Sequence, residues 1–316
     1  MSVGPEVRDA EGTVALASSS RLTGILLVAL SATSFASGTV MVKLAFGEGA
    51  GLGVLVVSRL GLGALLLWGL ALVGRVTIKV PPRRWPAVWW MGALSAGVGV
   101  LLFGATERIP ASTTTLLLYV YPALVAAISV ALGRERPSAT KIAALAIGLL
   151  GVLLVLGTPT SRLDPIGIAL ALSAALALAL YVIAAQRGAA GMSPLVAGAL
   201  ILSAATVVYL PFGLLTGELT SGGIGDAWWL VVGVGLATGA AIALFLAGLA
   251  RLEPIRASIG STWEPVAAVV LSSIFLAERL SGLQLVGGLL VVAAVATLPL
   301  IRDSGDATTS PGPPIA

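Results

Sequence analysis

Two ionisable side chains stand well inside apolar stretches of this chain, Arg59 and Glu264. A charge in the middle of an apolar helix is costly, so such groups face a cavity or a partner. Arg59 lies about seven residues into its stretch, roughly 10 Å along a helix rising 1.5 Å per residue. Glu264 lies near the middle of its own stretch. A guanidinium at that depth suits a substrate carboxylate, and a lone carboxyl suits an amino group or a coupling proton. The plainer alternative is that the two pair with each other, or snorkel to lipid headgroups, as static glue.

Around these two charges the sequence places further candidates. Pro122 and Pro265 fall inside apolar segments, where proline removes a backbone hydrogen bond and kinks a helix. They are read as paired hinges, against the alternative of static packing. Tyr119 and Tyr121 precede the first proline and Trp263 precedes the second, while Tyr181 sits in the sixth segment. These four are candidate cavity-lining residues. Trp85, Trp89, Trp90, Trp228 and Trp229 suit an interfacial aromatic belt instead. Ser34 and Ser37 belong to a hydroxyl-rich first segment, and Thr238 with Ser95 add two more candidate substrate contacts. Such hydroxyls equally bond the carbonyl four residues back. Glu135–Arg136 and Glu278–Arg279 end their helices and are read as stabilising or gating ion pairs.

What is missing narrows the chemistry. Histidine and cysteine are both absent, so no imidazole or thiolate metal site, disulfide or histidine proton relay can be built. No nucleophile–base constellation or phosphate-cradling loop is visible, which argues against an enzyme. No cofactor or metal is expected. The basic stretch from Arg75 to Arg84 is read as a topology determinant beside anionic lipid, not a nucleic-acid surface.

The elements that must position these groups are membrane helices. The chain has 316 residues, 58% hydrophobic and 10% charged, with mean hydropathy +1.05. Soluble domains carry about 25% charged residues, so the solvent of this surface is largely lipid. Ten apolar segments approach the roughly 20 residues a span needs: 22–43, 52–73, 86–105, 111–132, 138–157, 165–185, 193–215, 228–249, 255–276 and 282–301. Period-two alternation, which a membrane barrel would require, is lacking, which argues against strands. Residues 1–21 and 302–316 are polar and expected as disordered cytoplasmic tails. Gly92, Gly97, Gly148 and Gly151 are candidate sites of close helix approach.

The sequence also repeats itself. Trp85 recurs at Trp228, 143 positions on. The same offset pairs Pro122 with Pro265, Glu135–Arg136 with Glu278–Arg279, Gly92 with Gly235, and Ser95 with Thr238. Five segments per copy is an odd number, so equivalent helices cross the membrane in opposite directions. The expected architecture is all-α, ten spans as two inverted five-helix repeats, 22–157 and 165–301, with a site near the midplane between them. With the N-terminus inside, the outer segments hold Lys43, Arg108, Arg162 and Arg279 while the cytoplasmic segments hold thirteen Lys or Arg. The positive-inside rule then places both termini in the cytoplasm.

These features resemble the drug/metabolite transporter superfamily, and within it the EamA type. The resemblance rests on Pro, an apolar helix, then Glu-Arg, twice: Tyr121-Pro122 to Gly133-Arg134-Glu135-Arg136, and Glu264-Pro265 to Leu276-Ala277-Glu278-Arg279. Ser58-Arg59-Leu60 is similar to the family as well. The resemblance implies two tandem five-helix units in a gradient-driven carrier, often an exporter of amino acids, metabolites or drugs. The expected function is a secondary transporter of the cell membrane, exporting a small metabolite by alternating access, with protons and lipids as its other partners. A membrane scaffold, and a nucleotide-sugar or sugar-phosphate carrier, stand as alternatives.

Overall fold

The computed structural model describes residues 5–133, 143, 146–148, 150–151, 153–154, 164–188, 191–219, 223–251 and 260–297, and all its regular structure is helical. The N-terminal helix, α1, runs Pro5–Gly47. It starts well before the apolar run at Leu22, so residues 5–21 of the expected tail are helical. Proline at a first helical position has its φ preset and loses no bond there. The second segment is divided into α2 (Leu52–Val57), a π-helical turn (Ser58–Leu62) and α3 (Gly63–Val73). Next comes α4 (Trp85–Arg108), long and uninterrupted.

The fourth segment is two helices, α5 (Ala111–Leu118) and α6 (Tyr121–Ala131). The expected kink at Pro122 is thus a full break at Tyr119–Val120, with proline at the start of the following helix, where its missing amide does least harm. The second half supplies α7 (Pro165–Gly188), α8 (Pro194–Leu215), α9 (Trp228–Leu249), α10 (Trp263–Phe275) and α11 (Gly282–Thr297). Pro265 likewise lies in the first turn of α10.

Among the described residues, seven helical stretches are long and apolar enough to cross a membrane, from Leu22–Gly47 to Gly225–Leu249, and α10 and α11 are shorter apolar helices. The chain is a multi-pass helical membrane protein. The expected fifth segment lies mostly outside the described residues, as do Glu135, Arg136 and 302–316.

Helices of the two halves pack on each other more than on their neighbours in sequence. The largest interfaces are α1 with α9 and α4 with α7, followed by α4 with α8 and α1 with α10. Glycine makes the closest of these possible. A Cβ at Gly92 of α4 would sit 2.8 Å from Ala204 Cβ and 2.9 Å from the Ala205 amide on α8. A Cβ at Gly235 of α9 would sit 2.5 Å from the Ser58 carbonyl oxygen. Gly151 is similarly tight, 2.6 Å from the Gly287 carbonyl, and Gly148 makes an ordinary 3.4 Å approach to Ala294. Gly97 differs from expectation: no described residue lies within 4 Å of its added Cβ, so it serves no crossing among the described helices.

Backbone cannot shift as a side-chain tip can. Gly235→Ala and Gly92→Ala are each expected to destabilise by about 1–3 kcal/mol, the range for overpacking, whereas Gly97→Ala has little effect. Thermal unfolding of the purified variants checks this; equal melting temperatures for Gly235→Ala and wild type would contradict it.

Candidate functional site

Arg59 owes its position to the π-helical turn. One extra residue in that turn shifts the register of the side chains after it, and such turns gather at functional sites. Ser58, on the same turn, anchors it by donating its hydroxyl to the Val231 carbonyl of α9. The guanidinium carbon of Arg59 lies 5.3 Å from the centre of the Phe103 ring on α4, a cation–π contact. Its Nε is buried and has no hydrogen-bond partner among the described residues. Glu264 and Tyr181 are the ionisable groups close enough to act on it.

Glu264 enters from the first turn of α10. Tyr119, from the break between α5 and α6, brings its hydroxyl within 2.9 Å of Glu264 Oε2 and 2.8 Å of the Ser261 carbonyl oxygen. Tyr121 meets Tyr119 edge to face, ring centres 5.9 Å apart. No ion pair within 4.0 Å joins Arg59 to Glu264. Arg59, Glu264, Tyr121 and Tyr181 each keep part of their surface open to a water-sized sphere. Protein nevertheless encloses each on nearly every side. These partly open groups bring one cation and one carboxyl near each other without pairing them. That arrangement can take a carboxylate and an amino group together, or a carboxylate and a proton.

The remaining candidates lie as follows. Trp263 is 46% exposed and donates its indole N–H to Thr33 Oγ1 of α1 at 3.1 Å. Ser34 donates to the Ala237 carbonyl at 3.0 Å, joining α1 to α9, and Ser37 donates to the Ser34 carbonyl. Thr238 bonds back to the Val234 carbonyl at 3.0 Å. Ser95 is half-buried on α4. Phe103 and the π turn were not readable as site features. Phe103 is an ordinary apolar residue in an apolar helix, and the π turn follows from packing against α9.

A second cluster closes the end of the bundle where α4 finishes and α5 begins. Lys43 Nζ of α1 donates to the carbonyls of Thr106 at 2.6 Å, Glu107 at 3.2 Å and Ile109 at 3.1 Å. These are the unpaired carbonyls of a helix C-terminus. Glu278 accepts from the amides of Ala111 (2.8 Å) and Ser112 (3.1 Å) and from the Ser112 hydroxyl (2.6 Å), capping α5. The expected Glu278–Arg279 pair therefore gives way to a helix cap, because the amides at a helix N-terminus are aligned donors that carboxylate satisfies. The turn that aims it has Ala277 in the left-handed region at φ 52°. Beside it, the backbone amide of Ile166 and the Arg108 guanidinium (3.1 Å) hold the exposed Asp164 carboxyl below the usual carboxylate range. This interaction is present above that range and fades as the pH falls through it.

The chain matches the EamA-like transporter family twice, over residues 22–157 and 165–298. It is 30% identical over 290 residues to the threonine/homoserine exporter RhtA of Salmonella typhimurium, covering 88% of this chain and 92% of the relative. Protein PecM of Dickeya dadantii is 28% identical over 235 residues, 71% and 76% of the two chains. A crystal structure 23% identical covers 90% of this chain and 97% of its own, with a TM-score of 0.61, and shares the fold.

Glu278→Ala is expected to lower stability by about 1 kcal/mol, typical of a lost helix cap, and Glu278→Gln by less, since its amide oxygen still accepts. Thermal melts of the two variants check the order; Gln as damaging as Ala would assign the loss to charge alone.

Proposed function

The chain belongs to the EamA-like transporter family, and on that premise we propose that it is a ten-span exporter of a small zwitterionic metabolite of amino-acid type, working by alternating access with a coupling proton at Glu264. Arg59 holds the substrate carboxylate, and Glu264 holds the amino group or, in exchange, the proton. Tyr119, Tyr121 and Tyr181 wall the cavity, and Ser34, Ser37, Ser95, Thr238 and Trp263 are its further lining candidates. The observation that carries this reading is the enclosed Arg59, with an unpartnered Nε and no direct ion pair to Glu264. Static glue would close that pair; a binding site leaves it open for a ligand with both charges. One guanidinium also matches one carboxylate better than the several anionic oxygens of a sugar phosphate. RhtA, by its name, exports threonine and homoserine, both of which carry this pair of groups.

In this reading the halves, 22–157 and 165–301, are inverted copies about an axis in the membrane plane. The packing supports it. Exchange of the halves turns the α1–α9 interface into α7–α4, and α1–α10 into α7 with α5 and α6. It also turns the tight Gly92 contact of α4 with α8 into the Gly235 contact of α9 with the π turn. Pro122 and Pro265 then mark paired hinges at the two broken helices. With both termini cytoplasmic, the Lys43–Glu278 cluster faces outward and seals that side.

Two experiments test the proposal. In proteoliposomes, Glu264→Gln abolishes pH-gradient-driven threonine transport while the protein stays folded, and Arg59→Ala weakens carboxylate-bearing substrates more than cations by about tenfold, the scale of a lost charged hydrogen bond. Equal weakening of both would make Arg59 structural. Because the chain has no cysteine, single cysteines at 135 and 278 can be labelled selectively. They react from opposite sides of the membrane if the halves are inverted, and from the same side if they are not.

A further inference from the structure

Arg59 lies against two residues of α4, Gly99 and Phe103, which stand four apart and so share one face of that helix. A Cβ added at Gly99 would sit 3.9 Å from Arg59 Cδ, so the aliphatic stem passes bare backbone there. The guanidinium carbon then stands over the Phe103 ring, 5.3 Å from its centre, and that ring is only 2% exposed. Glycine leaves room for the stem and phenylalanine supplies a face for the head.

The second half carries no charge at the matching place. At the 143-residue offset Arg59 corresponds to Leu202, Gly99 to Ile242 and Phe103 to Leu246. Leu202 belongs to a buried apolar cluster, and Ile242 packs against it. Where leucine replaces the arginine, aliphatic side chains replace both the bare position and the ring. The glycine and the phenylalanine thus accompany the cation, and the repeat by itself does not call for them.

Holding a cation over a ring differs from holding it with a carboxylate. The ring attracts through its quadrupole and offers no acceptor atom, so the planar N–H fork that matches a carboxylate is not used up. Glu264 is close enough to act on Arg59, and a direct pair would occupy that fork, yet none forms within 4.0 Å. We propose that Phe103 is a positioning residue that holds the Arg59 guanidinium over its ring and off Glu264, and thereby sets the preference of the carrier for carboxylate-bearing substrates. The inference rests on Arg59 as the carboxylate site. A cation–π contact is weaker than a hydrogen bond between charged groups, so the ring keeps the guanidinium in place without competing with the substrate for it.

The test uses the full-length protein in proteoliposomes. Unlabelled L-threonine and L-threoninol, the amino alcohol that lacks the carboxyl, compete against exchange of radiolabelled L-threonine. The readout is the ratio of their two inhibition constants, because a packing defect moves both together. Phe103→Leu, the residue already present at the matching Leu246, is expected to lower the preference for threonine by about tenfold, the scale of a desolvated cation–π contact. Phe103→Tyr, which keeps a ring face, restores most of that preference, and in an Arg59→Ala background Phe103→Leu lowers it no further. A ratio unchanged by Phe103→Leu but lowered by Arg59→Ala overturns the role of Phe103 and leaves Arg59 as the carboxylate site. Equal weakening of both competitors by Phe103→Leu overturns it by making Phe103 structural. A ratio that Arg59→Ala does not lower removes the carboxylate site, and the inference falls with it. If Phe103→Leu does not fold or threonine is not carried, solid-state NMR of the wild-type protein with labelled arginine, phenylalanine and glutamate decides. A contact of Arg59 with Phe103 and none with Glu264 in the substrate-free carrier supports the proposal; an Arg59–Glu264 contact in place of the ring overturns it.

Discussion

The cost of keeping Arg59 and Glu264 away from water governs this structure. A charged side chain at mid-membrane costs about 2.5–3.5 kcal/mol on insertion scales, and each of the two has only partial compensation. Arg59 has the face of Phe103 and the field of Glu264. Glu264 has the Tyr119 hydroxyl. Direct pairing would recover more, yet the π turn and the break before α10 hold the two groups apart. An arrangement that leaves attraction unused within one chain leaves it available to something that enters.

Both charged groups stand where the helix is irregular. Arg59 is in the π-helical turn, and Glu264 is one residue before a proline at a helix start. Irregular backbone at membrane depth is tolerated only where protein or a cavity satisfies its polar groups. Ser58 bonding to α9 and Tyr119 beside the Ser261 carbonyl supply that satisfaction from the opposite half. Each half therefore completes the other's broken helix, so the site depends on both halves being docked.

Much of this was legible beforehand, for identifiable reasons. Apolar length marks spans, and a charge within one stands out, so Arg59 and Glu264 could be named without coordinates. The 143-residue offset anticipated that Gly92 and Gly235 would share a role, and both lie at tight crossings. Gly97, on the same helix, makes no such contact, because composition alone does not say which face of a helix meets a neighbour. Glu278 was misread as the partner of Arg279 since adjacency in sequence is visible and the amides of Ala111 and Ser112, more than 160 residues away, are not. The same limit hid Phe103 and the link between Tyr119 and Ser261. Polarity alone does not separate a solvent-exposed helix from a disordered tail, and residues 5–21 are helical.

Lys43 and Glu278 are directed at the ends of helices, at carbonyls of α4 and amides of α5, instead of at one another. Backbone ends at a membrane surface can be rehydrated, and water replaces each of these hydrogen bonds nearly one for one. In the carrier proposed above, parting this end would separate no direct Lys43–Glu278 ion pair, and Arg108–Asp164 is the pair of opposite charges beside it. In that proposal the resistance to parting would reside in the helix caps, the accessible Arg108–Asp164 pair and the fit of apolar side chains beneath them, so this end would respond to side-chain bulk and to ionic strength alike.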